Sequence, residues 1–255
     1  MTLHQEIPLN TDRRHFVVGD IHGRYEAFLN LLDEINYDQA TDMIYSVGDL
    51  IDRGPQSVET VEFFKQPNTY AVRGNHEQML VNPREWRSVW LYPPNGGPAT
   101  LLSLENYGYD EKWLADFCKK LPICIDVGDK DEEGAFRLIH AELPPSVSED
   151  EFRLFLQEHP ADAPEGELLW GRSTIMRAEK NVARMKPAGH GIEFHPDWTT
   201  RQVFCGHTPT ERVVRVGNMW WIDTWKSKTM TMMNALTFEK FVVDVQIKKP
   251  SMFNH

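Results

Sequence analysis

Five short apolar runs in this chain end in Asp, Asn or His, four of them beside a glycine. His15–Gly19 leads into Asp20, Ile21, His22 and Gly23. Met43–Val47 leads into Gly48, Asp49, Leu50, Ile51, Asp52, Arg53 and Gly54. Thr69–Val72 leads into Arg73, Gly74, Asn75, His76 and Glu77. Phe136–Ile139 delivers His140, and Gln202–Cys205 delivers Gly206, His207, Thr208 and Pro209. Runs this short, rich in β-branched and aromatic residues, read as buried strands. Between the first two lie Ala27, Phe28, Leu31, Leu32 and Ile35, one stripe at helical period that predicts a helix over 24–36. Gly54-Pro55 opens a second helix over about 56–65, with proline at its tolerated first position. Strand, helix, strand, helix, strand is the signature of βαβ units and an α/β fold. In open α/β sheets, ligands bind at the carboxyl edge of the strands, and the polar residues fall there.

Beyond residue 80 the pattern loosens. Residues 92–98 read as a loop because they hold three prolines and two glycines. Helices are expected over 110–120, 149–158 and 167–178, with a loop from Pro160 to Gly166. Further strands are expected at 123–127, 213–216 and 219–222, the charged turn Gly128–Gly134 joining 123–127 to 136–139. A final hairpin is expected over 229–247. No linker-like stretch interrupts the 255 residues, so a single domain over 1–255 is expected, with a motif core over about 15–225 and a β-rich tail over 226–255. A chain this long buries roughly 70–75% of its unfolded surface and needs no disulfide framework.

Charge and cysteine usage narrow the function. The formal net charge of −11 argues against a nucleic-acid or anionic-membrane partner, because phosphate backbones reward clustered Lys and Arg. Cys118, Cys124 and Cys205 form an odd set without a CxxC pair, which disfavours a zinc ribbon and suits a reducing compartment. No secretory leader and no apolar run of spanning length is visible, so the expected address is the cytoplasm.

Asp, His and Asn without cysteine make a site suited to manganese, iron or zinc, and unsuited to copper(I) or an iron–sulfur cluster. Asp20, His22, Asp49, Asn75, His140 and His207 are six candidate ligands. A single catalytic zinc takes three from protein. Six fit two ions, roughly 3.5–4 Å apart, that share one carboxylate.

The order and spacing of Gly19–Gly23, Gly48–Gly54 and Gly74–Glu77 resemble the phosphoprotein phosphatase (PPP) family of metallophosphoesterases, in particular the bacterial and bacteriophage lambda type of serine/threonine phosphatase. The likeness is dense over about 16–80 and continues at Ile139–Ala141, Leu169–Arg172, Phe204–Pro209 and Ile222–Thr224. It implies a sandwich of two mixed β-sheets flanked by helices. It implies a first metal on Asp20 and His22, with Asp49 as the bridge. Asn75, His140 and His207 would hold the second, and Asn75 also adjoins the substrate. His76 would be the general acid, oriented by Asp52. Arg53 and Arg172 would grip the phosphate, with Arg73 near its entry. The implied reaction is hydrolysis of phosphoserine or phosphothreonine in proteins, by direct attack of a hydroxide bridging two divalent ions. Manganese is the leading candidate, with iron or zinc as alternatives.

These residue types suit that chemistry. A phosphate dianion repels its nucleophile, and two cations relieve the repulsion while lowering the pKa of water. A planar guanidinium matches two phosphate oxygens. An alkoxide leaves poorly, so a protonated imidazole beside a carboxylate is useful.

Plainer readings exist for each residue. An Asp after a strand is ordinarily a turn cap. Asp52-Arg53 alone would be a surface ion pair of little consequence. A lone His76, His140 or His207 would more often be structural. It is their joint occurrence in these motifs that favours the site. His4, His15, His159, His190, His195 and His255 have no matching role, and Met230, Met232 and Met233 suit a core face.

One departure stands out: Trp225-Lys226 follows Ile222-Asp223-Thr224 where the family often has glycine and a small residue. An indole there narrows the cleft or offers a stacking surface. Rival functions are a dinucleoside tetraphosphate hydrolase and a silent phosphoprotein-binding module. The second requires a lost ligand, and every expected position is filled.

Overall fold

The computed structural model describes residues 3–143, 152, 166–184 and 201–245. The βαβ reading holds. Strands β2 (Arg14–Val18), β3 (Asp42–Ser46) and β4 (Thr69–Ala71) pair in parallel. Helices α1 (Tyr25–Glu34) and α2 (Ser57–Phe63) make the two crossovers. The C-terminal hairpin, β10 (Thr229–Asn234) and β11 (Lys240–Asp244), extends this sheet antiparallel, giving the order β11-β10-β2-β3-β4.

A second sheet is also mixed. It contains β1 (His4–Ile7), β5 (Cys124–Val127), β6 (Phe136–Ile139), β7 (Gln202–Cys205), β8 (Val214–Val216) and β9 (Met219–Trp221). Their order is β1-β5-β6-β7-β9-β8. The hairpin from β5 to β6 turns on Gly128 and Gly134, both at positive φ.

Side-chain alternation builds the layers. Val17, Tyr45 and Val47 of the first sheet pack with Ile125, Phe136, Leu138 and Phe204 of the second. Their neighbours Phe16, Val18 and Ile44 face the other way, onto Phe28, Leu31, Val58 and Val61 of α1 and α2. Cys124, Ile139, Val203 and Cys205 face Leu168, Leu169 and Ile175. Those last residues belong to α7 (Glu167–Trp170) and α8 (Ser173–Arg184). Helix, sheet, sheet, helix is the result, and burial on both faces explains why the strands read as continuous apolar runs.

The structure differs from the expectation between 75 and 107. Helices α3 (Asn75–Val81), α4 (Pro83–Trp90) and α5 (Gly97–Tyr107) occupy this region, with a 3₁₀ turn at Pro93–Asn95. Pro83 and Pro98 sit in first turns, where a missing N–H costs nothing. Helix α6 (Glu111–Cys118) follows, capped by Asp110. The edge strand β1 was also not expected: of its four residues only Ile7 is buried. All of the helix expected at 149–158 except residue 152, most of the loop at 160–166, and His159, His190, His195 and His255 lie outside the described residues.

Candidate metal centre and active site

The carboxyl ends of β2, β3, β4, β6 and β7 converge. Asp49 lies at the middle. Its Oδ2 is 3.5 Å from His22 Nε2 and its Oδ1 is 3.5 Å from His140 Nε2. On the first side, Asp20 Oδ2 is 3.9 Å from His22 Nε2. On the second, Asn75 Oδ1 lies 2.8 Å from both His140 Nε2 and His207 Nδ1. The six expected ligands are thus gathered around one carboxylate, with Asp20 near Asp49 and His140 as well as His22, and His76 beside His22 and Asp49.

The donor atoms are aimed from behind. His22 Nδ1 donates to the Ile51 carbonyl (3.0 Å) and His140 Nδ1 to that of Val47 (2.8 Å), which turns each Nε2 lone pair inward. The His207 N–H donates to the Asp20 carboxylate, and the His76 N–H to Asp49 Oδ1 (3.0 Å). Glycines make room: a Cβ on Gly206 would meet Asp20 Oδ1 at 1.9 Å, and one on Gly74 would meet Asp49 Oδ1 at 2.1 Å.

The backbone is strained here. His22, Asp49, Asp52, Arg53 and His207 have φ of 49°, 53°, 74°, 64° and 64°. Each costs about 1 kcal/mol or more outside glycine. Glu77 offsets part of this. Its buried carboxylate accepts the N–H groups of Asp49, Leu50, Ile51 and Gly74 at 2.8–3.3 Å. The sequence reading gave Glu77 no role, although a Glu at the third position of a helix is a capping-box signal. Burial lifts its carboxyl to about 7.

Electrostatics sort the histidines. Burial lowers His22, His140 and His207, the last to about 2, so all three are neutral donors at pH 7. Burial also acts on His76, but Asp49 and the hydrogen-bonded Asp52 outweigh it and raise His76 above its ordinary value. His76 Nδ1 is 2.7 Å from Asp52 Oδ2. Asp52 in turn accepts Trp90 Nε1–H and Thr100 Oγ1–H (2.6 Å), from α4 and α5. Burial opposes ionisation of Asp49, yet His140, His76, His22 and Arg53 hold its carboxyl well below the usual range. Burial, then Asp223 and Asp49, push Asp20 well up. Three acids this close call for a cation.

Arg53 is exposed, and its guanidinium reaches His22 Nε2 (2.5 Å) and His76 Nε2 (3.2 Å). Arg172 is exposed between α7 and α8, and its charge acts on His140, His207 and Asp223. Arg73 requires a correction. Its buried guanidinium donates to Gln78 Oε1 (3.1 Å) and to the carbonyls of Lys119 (3.0 Å) and Leu121 (3.1 Å). It ties the third motif to the end of α6 rather than standing at a phosphate entry.

Asp223, quoted in a motif but given no role, is buried, and burial pushes its carboxyl up to about 6. Arg24 was not singled out. Its guanidinium carbon lies 3.8 Å from the Trp225 ring centroid. Burial, then Arg53, pull its pKa down to about 10, which leaves it cationic at pH 7. A separate grouping of ligand-type residues, His4, Cys124 and Asp126, is a buried ion-pair cluster. Asp126 accepts two bonds from Arg137 (2.6 and 2.8 Å) and one from His4 (3.0 Å).

Two mixed sheets carrying a buried Asp, Asn and His cluster at one strand edge define a metallophosphoesterase, a hydrolase class that uses divalent metals. The chain belongs to the calcineurin-like phosphoesterase family, whose profile matches residues 14–215. It is 30% identical over 223 residues to serine/threonine-protein phosphatase 1 of Salmonella typhimurium, covering 87% of this chain and 91% of that one. It is 31% identical over 145 residues to a symmetrical bis(5'-nucleosyl)-tetraphosphatase of Dechloromonas aromatica, covering 56% of this chain and 49% of that one. The fold is similar to that of a Saccharomyces cerevisiae serine/threonine phosphatase, with a TM-score of 0.64 at 17% identity over 98% of this chain and 86% of that one. No helix among the described residues is long and apolar enough to cross a membrane.

Proposed function

We propose that the chain is a metal-dependent phosphomonoesterase acting on phosphoserine and phosphothreonine in proteins. One observation carries the chemistry: of the four clustered histidines, only His76 is raised, and only His76 is paired to a side-chain carboxylate other than a ligand. The protein substrate is supported by the relative named a serine/threonine-protein phosphatase, which is matched over nearly its whole length.

Asp20 and His22 would hold one divalent ion, Asn75, His140 and His207 another, and Asp49 both. Bound there, such ions supply charge against the phosphoryl oxygens and lower the pKa of water. The donor set suits manganese, with iron or zinc as alternatives. Arg53 and Arg172 bind phosphoryl oxygens, and Asn75 adjoins them. His76 Nε2 donates its proton to the departing serine oxygen while Asp52 retains Nδ1–H. A cytoplasmic address belongs to the same reading, supported by three buried cysteines, none of them in a disulfide.

The test is a turnover panel in manganese, with phosphopeptides, diadenosine tetraphosphate and a phosphodiester. Phosphopeptides are expected to be the fastest. Faster turnover of the dinucleotide would favour the tetraphosphatase reading, which the half-length match to that enzyme supports. Phosphopeptide binding without turnover would make the chain a binding module.

A further inference from the structure

A preorganised cation stands one step outward from the residues assigned to the phosphate. Arg24 follows the first motif, and its Nη1 donates to the His22 carbonyl (3.2 Å). The flat of its guanidinium lies over Trp225 at 3.8 Å. The Trp225 backbone is itself anchored, because its main-chain N–H donates to Asp223 Oδ1 (3.0 Å). Stacking on one face and a hydrogen bond at one edge fix the guanidinium plane, which removes much of the entropy an arginine loses on binding. Among the described residues, no acceptor takes its remaining N–H groups.

The charge pattern says which part of a substrate Arg24 meets. Arg53 reaches His22 Nε2 (2.5 Å) and His76 Nε2 (3.2 Å), so it lies over the reacting centre. Arg24 instead meets the backbone carbonyl of His22 and the Trp225 ring, to one side of the clustered donor atoms. A phosphate held by Arg53 and Arg172 leaves Arg24 with no carboxylate at ion-pair distance among the described residues, Asp223 acting on it only from farther away. In a chain of formal net charge −11, three guanidinium groups gathered at one mouth run against the overall balance. Such a mouth attracts a substrate with a second negative group beside its phosphate.

We propose that Arg24, held flat by Trp225, is a specificity-determining residue that binds the carboxylate of an Asp or Glu flanking the phosphorylated residue. This rests on the phosphoprotein reading. Arg24 adds affinity for the peptide and takes no part in bond cleavage, so its effect falls on KM and leaves kcat on bound peptide little changed. Trp225 acts through Arg24 as a positioning residue.

The experiment uses two phosphoserine peptides, one flanked by Asp and Glu and the other by Asn and Gln. Each is tested as a competitor of p-nitrophenyl phosphate hydrolysis and as a substrate. At low salt the acidic peptide is expected to compete about fivefold more tightly, the size of one partly screened charge-assisted contact. Arg24→Gln brings the ratio close to one, Trp225→Leu lowers it, and Arg24→Lys retains part of it. Equal competition by the two peptides, no competition by either, or a ratio that survives both Arg24→Gln and Trp225→Leu overturns the proposal. Should one variant fail to fold, the others decide. If the peptides compete but neither is hydrolysed, the phosphoprotein reading fails, while the competition ratio still judges Arg24.

Discussion

Asp52→Asn isolates the proposed acid without moving it. Asp52 is fully buried and meets three donors, His76 Nδ1, Trp90 Nε1 and Thr100 Oγ1. Asparagine keeps the shape but turns one acceptor oxygen into a donor. The His76 ring loses its charge-assisted partner, a bond of about 1.5–3 kcal/mol. At 1.36 kcal/mol per unit this lowers the His76 pKa by about 1–2 units. In the unaltered protein that pKa is raised, so the imidazolium persists below it and is lost as pH rises through it. The variant should lose phosphoserine turnover by about tenfold to a hundredfold at neutral pH. Its falling limb should also move to lower pH by the same 1–2 units. p-Nitrophenyl phosphate, whose leaving oxygen needs no proton, should lose no more than about threefold. Steady-state pH profiles on both substrates measure this. Equal losses on the two, or an unmoved limb, would refute the acid assignment.

Asp49→Asn should retain little bound cation and lose turnover by about a hundredfold or more, because both ligand sets lean on that carboxylate; full metal content by mass spectrometry together with full turnover would contradict the bridge. Gly206→Ala forces a methyl group to within 1.9 Å of Asp20 Oδ1 and should weaken manganese affinity by about tenfold or more, read by calorimetric titration. Asp126→Asn removes the buried carboxylate that pairs with Arg137 and Arg201 and should cost about 3–5 kcal/mol in denaturant unfolding. Its partners hold the Asp126 carboxyl well below the usual range, so its contribution is present above the unfolded value, about 3.9, and is lost as pH falls through the folded one. The gap between the two proteins should therefore narrow in acid, and a gap that widens there would be the wrong sign.

The strands were legible because burial on both faces leaves no polar alternation to confuse them, and the residues ending them stood out as breaks in apolar runs. Six candidate ligands were found that way and are gathered in space. What orients them was less visible. Trp90 and Thr100, which fix Asp52, sit on α4 and α5, on either side of the loop expected at 92–98, where the apolar pattern was too loose to predict a helix. Arg73 resembled its neighbours in a motif, yet its partners are carbonyls 46 and 48 residues away. The left-handed conformations of Asp49 and Asp52 had only a weak cue in residue type, since aspartate enters that region less readily than glycine. Arg24 passed unnoticed because its meaning depends on Trp225, two hundred residues downstream.

The divided origin of the candidate ligands has a mechanical consequence. Asp20, His22, Asp49 and Asn75 follow strands of one sheet, while His140 and His207 follow strands of the other. A cation taken up between them would act as a rivet through the seam of the sandwich. Saturating metal should then raise the melting temperature in step with its concentration, and stripping it should loosen the seam before either layer unravels.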